Sequence, residues 1–119
     1  MSAAKVVSRT MRIVSGANLR EHFRVKHLRV KGERAVGFGI GVEISRAVEL
    51  PIVLTLTRIA PRKLDSDNLQ YAFKAIRDGI AAAYGVKDND DTVIDWRYSQ
   101  RTGVPRQYAI EASAVQVTP

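Results

Sequence analysis

The stretch that decides the fold is residues 51–70, PIVLTLTRIAPRKLDSDNLQ. Between Ile52 and Ile59, Val, Leu, Ile and Thr fill almost every position, and this β-branched content favours a largely buried strand. Pro61 ends the strand, and the DSD sequence at 65–67 then offers three possible helix N-caps. With Asp67 as the cap, Gln70 lies at the third helical position and completes a capping box. The stretch therefore predicts a buried strand that passes directly into a helix.

Apolar periodicity and turn residues predict the elements on either side of this stretch. They are a strand at 6–14, a helix from Asn18 to about Arg34, a glycine-containing loop or fraying helix end at 37–50, and strands at 94–99 and 108–117. A turn at 101–106 should join the last two strands into a hairpin. The order β-α-β-α-β-β predicts an α+β fold, in which a mixed β-sheet and two main helices form a single domain spanning residues 1–119.

Each predicted helix has one apolar face. The second helix should run to Tyr84 and end at Gly85, and its buried positions are Leu69, Phe73, Ile76 and Ile80, with Ala83 or Tyr84. The first helix should turn Leu19, Phe23 and Val30 inwards. Its basic residues recur at spacings of three and four and should form one stripe, which consists of Arg20, Arg24, His27, Lys31 and Arg34. Such a stripe is either a solvated surface or a face that follows phosphates.

Composition excludes several classes of protein. The chain of 119 residues has no cysteine, which excludes a disulfide framework, a thiolate nucleophile and a zinc–thiolate site, so a cytoplasmic location is expected. Its apolar runs are far shorter than the roughly 18 residues of a membrane span, and no membrane partner is expected. The length and the charged fraction of 26% are those of a globular domain.

The charges are unevenly distributed along the chain. Residues 1–64 contain 13 Lys and Arg against 4 acidic residues, whereas residues 65–119 contain 6 against 8. The formal net charge of +7 suits a polyanionic partner such as nucleic acid. All seven aspartates lie between residues 65 and 95, and grouped carboxylates attract divalent cations. Together the two features indicate chemistry on nucleic-acid phosphates.

The candidate site centres on carboxylates at the junction of the predicted strand and helix. Asp65 and Asp67 lie two residues apart at a strand end, where they can converge on a hard cation. A third carboxylate would come from the loop after the helix, which supplies Asp88, Asp90 and Asp91. The sequence predicts a metal site with these oxygen ligands and leaves the third ligand open.

A polar stripe on the second helix adds a cation to this site. Asp67, Lys74 and Asp78 fall within about 20° of one line on a helix. The simpler interpretation of Lys74 and Asp78 is a surface ion pair, which contributes a few tenths of a kcal/mol. The alternative is that the Lys74 ammonium stabilises charge that develops on a phosphate or leaving oxygen beside the carboxylates.

The sequence resembles the RusA family of Holliday-junction resolvases, many of them encoded by phages and prophages, over about residues 58–117. Three features carry the resemblance: DSDNL at 65–69, a Lys and an Asp four residues apart on the next helix (74 and 78), and the acidic group at 88–91 before a strand. Relative to DxDNL, the position of the family's lysine is held by Tyr71. Lys74 therefore corresponds to that lysine with about one inserted helical turn, which keeps it on the same face.

The resemblance implies a homodimeric, Mg²⁺-dependent endodeoxyribonuclease that cuts four-way DNA junctions symmetrically in recombination and repair. Its metal carboxylates would be Asp65, Asp67 and either Asp88 or Asp90, and its catalytic lysine Lys74. Mn²⁺ is an alternative metal, because carboxylate oxygens bind both ions. Phosphodiester hydrolysis by metal-activated water needs no nucleophilic side chain.

DNA contacts are expected from basic residues on either side of the carboxylates. Arg62 and Lys63 flank the predicted metal site, and the basic stripe adds Arg20, Arg24 and Lys31. Binding through the DNA backbone should weaken steeply with salt. Two alternatives to a nuclease remain open: a non-catalytic protein that binds DNA junctions on the same fold, and a basic structural module in which the DxDN segment only caps a helix.

Overall fold

Residues 3–14 and 22–117 are described by the computed structural model, and they form a four-stranded sheet and three helices. The elements follow the order β1 (Ala4–Arg9), α1 (Phe23–Ala47), β2 (Ile52–Ala60), α2 (Ser66–Ala72), α3 (Lys74–Tyr84), β3 (Ile94–Thr102) and β4 (Ala109–Gln116). One hydrophobic core joins the sheet to all three helices. The predicted α+β class with a mixed sheet is confirmed.

The sheet has the strand order β1-β4-β2-β3, and β2 pairs with β3 in parallel and with β4 in antiparallel orientation. The predicted terminal hairpin is therefore wrong, because β3 and β4 lie on opposite sides of β2. The helices α2 and α3 form the crossover that returns the chain to the start of a parallel neighbour. β1 is also shorter than predicted: its last pair joins Arg9 to Ile110, one residue from the start of β4.

The prediction of a loop or fraying end at 37–50 is wrong over residues 37–47, since α1 continues without a break to Ala47, and it is confirmed at 48–50. The glycines serve close packing instead of a turn. A Cβ atom on Gly37 would lie 2.2 Å from the carbonyl oxygen of Ile76, and one on Gly79 would lie 2.1 Å from that of Arg34. Only hydrogen fits at these positions, so α1 and α3 approach each other backbone to backbone.

The first ten residues of α1, Phe23–Gly32, are here called the arm. The prediction that Phe23 and Val30 point inwards is wrong, because they are 70% and 37% exposed. Burial on α1 begins at Glu33, next to Arg34, whose carbonyl oxygen faces Gly79 of α3. The predicted basic stripe is exposed at Arg24, His27, Lys31 and Arg34, while Leu19 and Arg20 lie outside the described residues.

The predicted second helix is divided into α2 and α3 at Phe73. Its N-cap is Asp65 and not Asp67: helix α2 begins one residue after Asp65, whose Oδ1 accepts a hydrogen bond from the Asn68 backbone N–H at 2.9 Å. The predicted burial is confirmed at Leu69, Phe73, Ile76 and Ile80. The predicted end is confirmed as well, because Gly85 adopts a left-handed conformation with a φ of 72°.

Within the described part of the chain, no helix combines the length and the apolar character needed to cross a membrane.

Candidate functional site

An open cavity of about 370 Å³ joins α2, α3, the loop at 87–91 and β3. It is called the site cavity here, and it is lined by Asp67, Gln70, Tyr71, Lys74, Arg77, Asp88 and Tyr98. Three predicted site residues, Asp67, Lys74 and Asp88, therefore share one space. Asp65 and Asp90 are not among its lining residues.

The end of β2 fixes the start of the acidic segment. Leu64 is held at both backbone polar groups by the Gln100 side chain from β3: its N–H donates to Oε1 at 2.8 Å, and its carbonyl accepts from Nε2 at 2.6 Å. Arg58 is 9% exposed and donates to the Arg62 carbonyl at 2.6 Å, which favours a structural role for it. Burial lowers the pKa of Arg58 from its usual value, with a further contribution from the nearby charge of Arg12. These contacts set the direction in which the chain enters α2.

The two carboxylates of this segment have different surroundings. Asp65 accepts at Oδ1 from the Asn68 N–H, which caps α2, and at Oδ2 from the Asn68 side-chain Nδ2 at 3.1 Å, so both of its oxygens bond to Asn68. Asp67 is exposed in the first turn of α2 and lines the site cavity. Cation binding by Asp65 would therefore compete with the cap of α2.

The loop at 87–91 reaches the cavity by folding back along α3. Because β2 and β3 are parallel, this loop enters β3 at the end of the sheet opposite to the end that Asp65 follows. The Asp88 carbonyl accepts from the Arg77 Nη2 at 2.6 Å and from the Trp96 Nε1 at 3.0 Å. The Arg77 Nε lies 3.5 Å from the Asp88 Oδ2, and Nη1 donates to the Tyr98 hydroxyl at 2.9 Å. A half-buried guanidinium thus positions Asp88 next to α3.

The other aspartates of this loop are engaged elsewhere or exposed. Asp90 Oδ1 accepts from the backbone N–H of Thr92 at 3.1 Å and also from its hydroxyl. These hydrogen bonds lower the pKa of the Asp90 carboxyl below its usual value. Asp91 is exposed. The sequence left the choice between Asp88 and Asp90 open, and the structure brings Asp88 to Asp67 and Lys74.

Asp78 is the carboxylate that connects Lys74 to Asp88. The predicted pair is present, with the Lys74 Nζ 3.9 Å from the Asp78 Oδ2. Burial raises the pKa of the Asp78 carboxyl, the Lys74 charge lowers it, and the charge of Asp88 together with a hydrogen bond to it raises it again. Asp78 and Asp88 therefore form a close acidic pair beside the site cavity, which the interpretation of Asp78 as a surface ion pair did not include.

The predicted DNA contacts are dispersed. Arg62 and Lys63 are exposed in the turn that precedes Asp65, and Arg24 and Lys31 are exposed on the arm. Arg20 lies outside the described residues. None of the four described side chains lines the site cavity, so any contact that they make with DNA is outside the site.

The oxygen atoms around the cavity fit a hard divalent cation in their chemistry. Asp67 and Asp88 supply carboxylates and Gln70 supplies an amide oxygen, and hard divalent cations bind oxygen ligands of both types. Among residues 3–14 and 22–117, no three His, Cys, Asp or Glu side chains form a group that could hold a metal ion. One or two carboxylates are enough where water and substrate phosphate complete the coordination of Mg²⁺.

Sequence reasoning missed the residues that hold the site in place. Arg77 acts on a backbone carbonyl eleven positions away, and Gln100 acts on the backbone of a residue 36 positions away. Backbone partners leave no mark in the sequence, because every residue has a carbonyl. The one available signal for Arg77 is its place on α3 between Lys74 and Asp78, three residues after the lysine.

Comparisons with known proteins do not assign this arrangement of residues to a family. The site cavity combines two carboxylates, a lysine and an arginine-held loop, and these side chains are its chemical content. No protein-family model matches the chain, and no curated protein matches it.

Proposed function

We propose that the chain is a metal-dependent endodeoxyribonuclease that cuts branched DNA, with four-way junctions as its substrate and recombination or repair as its setting. The observation that carries the proposal is the site cavity, where the carboxylates of Asp67 and Asp88 share one open space with the Lys74 ammonium. The RusA-like sequence pattern, DxDNL followed by the Lys and Asp pair, supports the same chemistry.

In this proposal Asp67 and Asp88 hold the metal, which is Mg²⁺ or Mn²⁺. A bound divalent cation supplies Lewis-acid stabilisation of the phosphate and a more acidic water. The chain's own contribution is to keep the two carboxylates at fixed places. Asp67 does so from the first turn of α2, and Asp88 is held through its carbonyl by Arg77 and Trp96.

Lys74 is the cation that remains available to a phosphate in the site cavity. Its side chain is 67% exposed, and its Nζ lies 3.9 Å from the Asp78 Oδ2. Because this ion pair is long and exposed, a phosphate oxygen can also approach the Lys74 ammonium. Arg77 is occupied by the Asp88 loop and by the Tyr98 hydroxyl, so it is a positioning residue. An ammonium beside the reacting phosphate stabilises the negative charge that develops there.

The charge distribution supports DNA as the substrate. Arg62 and Lys63 are exposed immediately before the acidic segment, and the arm presents further cations. Such residues bind the DNA backbone without reading its sequence. Symmetric cuts in two strands require two sites, and a homodimer with a two-fold axis matches the symmetry of a four-way junction.

A non-catalytic junction-binding protein is the second candidate. It is favoured by the Asp65 carboxylate, whose two oxygens both bond to Asn68. With Asp65 engaged, two carboxylates remain for the metal, so metal binding would depend on a substrate phosphate to complete the coordination. Such a protein would bind four-way junctions in a salt-sensitive way and would not cut them with either metal.

The test is a cleavage assay on a synthetic mobile four-way junction and a matched linear duplex, with Mg²⁺ or Mn²⁺ compared with EDTA. The proteins are the wild type, Asp67→Asn, and Asp95→Asn as the matched control, because Asp95 is exposed on β3 and pairs with Arg97 away from the cavity. We expect paired nicks in the junction alone with wild type and Asp95→Asn, and none with Asp67→Asn. Junction binding without nicks under both metals would establish the second candidate.

A further inference from the structure

A second cavity adjoins the site cavity at Tyr71. It has a volume of about 200 Å³ and runs between the arm of α1 and the α2–α3 junction. Its apolar lining includes Val14, Val30 and Ala75, and its cations include Lys26 and Lys74. It is called the arm groove here.

Tyr71 and Lys74 line both the arm groove and the site cavity. The two cavities are therefore neighbours, and a polymeric ligand that occupies one can continue into the other. Tyr71 is 45% exposed although it is a large aromatic residue. No described aromatic ring lies in a stacking or edge contact with it, so its ring is accessible to a ligand.

The charges of the arm groove favour an anion at its rim. Two of its cations have carboxylate partners, since Arg29 pairs with Glu33 at 3.0 Å and Lys74 lies 3.9 Å from Asp78. No ion pair joins Lys26 to a carboxylate among residues 3–14 and 22–117. A phosphate that enters the groove can therefore bind the Lys26 ammonium, which has no carboxylate partner among the described residues.

Packing fixes the arm groove where the arm joins the rest of α1. Gly37 lies against the backbone of Ile76, and Gly79 lies against the backbone of Arg34, so α1 cannot slide along α3 without a clash. The Arg29–Glu33 pair holds the buried Glu33 side chain at the base of the arm. A preformed groove loses little freedom when it binds a ligand.

We infer that the arm groove binds one unstacked nucleobase of the DNA strand next to the cleaved phosphate, with the base stacked on Tyr71 and an adjoining phosphate at Lys26. An aromatic face, an apolar floor and a cationic rim are the components of single-strand binding sites. Extruding a base costs least where its pairing or stacking is already disrupted, and we expect this next to the branch point of a junction. This inference rests on the proposed function for the position of the cleaved phosphate, and it names the part of the substrate that lies beside it.

The test is a binding cycle between the Tyr71 ring and single bases of the DNA. Abasic sites are placed one at a time at the nucleotides flanking the branch point of a four-way junction and within a short single strand. Dissociation constants are measured in EDTA for wild type, Tyr71→Leu, Tyr71→Phe and Phe38→Leu. Phe38 is the matched control, because it is an aromatic residue of α1 that is 48% exposed and lines neither cavity. Thermal unfolding of each variant checks the fold.

At one nucleotide we expect the abasic site to weaken wild-type binding about tenfold, which is the usual effect of one lost stacking contact. Tyr71→Leu should weaken binding of the intact DNA by a similar factor and should then be insensitive to the abasic site. Tyr71→Phe and Phe38→Leu should behave as the wild type, because the first keeps the ring and the second lies outside the groove.

The result that overturns the inference is additivity, in which Tyr71→Leu and every abasic site act independently, or Tyr71→Leu has no effect on binding. Cleavage by the same samples in Mg²⁺ is recorded separately. Cleavage with additive binding leaves the proposed function standing and removes the base-binding groove. A coupled Tyr71 effect without cleavage keeps the groove and removes the enzyme, and the absence of any DNA binding removes both.

Discussion

The two acidic segments at the ends of the α2–α3 unit share one arrangement. In each segment one aspartate is engaged in local structure, because Asp65 caps α2 and Asp90 closes the turn before β3. In each, a second aspartate two residues away lines the site cavity: Asp67 in one and Asp88 in the other. The spacing of two residues therefore separates an aspartate that bonds to its own segment from one that lines the site cavity.

The segments differ in how they are held. Residues 65–67 continue directly from a buried strand, and the Gln100 side chain pins the residue before them. The loop at 87–91 is held mainly by side chains that reach it from α3 and β3, with Arg77 and Trp96 both bonding to the Asp88 carbonyl. We infer that the first half of the site is positioned by its continuity with β2, and the second half by the side chains of Arg77 and Trp96.

The largest effect is expected from a change that displaces α3, because α3 carries Arg77 and follows α2 directly. In Gly79→Ala the new Cβ would lie 2.1 Å from the Arg34 carbonyl oxygen and 2.6 Å from the Phe38 backbone nitrogen. The helices must separate, and we expect a loss of about 3 kcal/mol in the free energy of unfolding, measured by urea denaturation.

The matched control for that change is Gly39→Ala on α1, where nothing lies within 4 Å of the added Cβ. Alanine in an exposed helix interior should stabilise the protein by about 0.5–1 kcal/mol. Equal effects of the two substitutions would contradict the close packing of α1 on α3.

The next effect tests whether Arg77 positions the second segment. Arg77→Met removes the hydrogen bond to the Asp88 carbonyl, the contact with its carboxylate and the cation that lies 4.8 Å from the centre of the Trp96 ring. If Asp88 is held in this way, the rate of junction cleavage should fall about 100-fold, the usual effect of misplacing a catalytic group. Arg97→Met is the control, since Arg97 is exposed and pairs only with Asp95 among the described residues. An unchanged cleavage rate in Arg77→Met would mean that Arg77 does not position the second segment.

A smaller effect distinguishes the two members of the first segment. Asp65→Ala removes the N-cap of α2 and should lower the free energy of unfolding by about 1 kcal/mol. Asp67→Ala removes only a charge near the start of the helix and should cost about 0.3 kcal/mol. Both values come from chemical denaturation, and a larger cost for Asp67→Ala would restore Asp67 as the cap.

The sequence was sufficient for the elements whose signal is local. The β-branched run at 52–59 predicts β2, and the left-handed Gly85 ends α3 as expected. The glycines of α1 were misleading, because Gly37 marks close helix packing and not a turn. The prediction of a hairpin was wrong for a different reason. The alternation of apolar and polar residues in β3 and β4 indicates strands, but it carries no information on which neighbour each strand pairs with.

The residues of the candidate site likewise divide into those that a local sequence pattern predicts and those that depend on long-range contacts. Asp67 and Lys74 lie in a recognisable local pattern, and the structure brings them into one cavity. The choice of Asp88 depends on Arg77 and Trp96, which bond to a backbone carbonyl, and no sequence pattern encodes that contact. The sequence offers Asp65, Ser66 and Asp67 as N-caps, and the capping box favours Asp67. The structure selects Asp65, because both aspartates are good N-caps and only the path of the backbone after Leu64 decides between them.

The central claim is that the carboxylates lining the site cavity hold the metal, whereas their neighbours hold local structure. It is tested most directly by junction cleavage in Mg²⁺ with Asp88→Asn and Asp90→Asn compared side by side, each checked for thermal unfolding. The account predicts that Asp88→Asn loses cleavage while it still binds the junction, and that Asp90→Asn cuts at close to the wild-type rate. Cleavage that survives in Asp88→Asn and is lost in Asp90→Asn would contradict it.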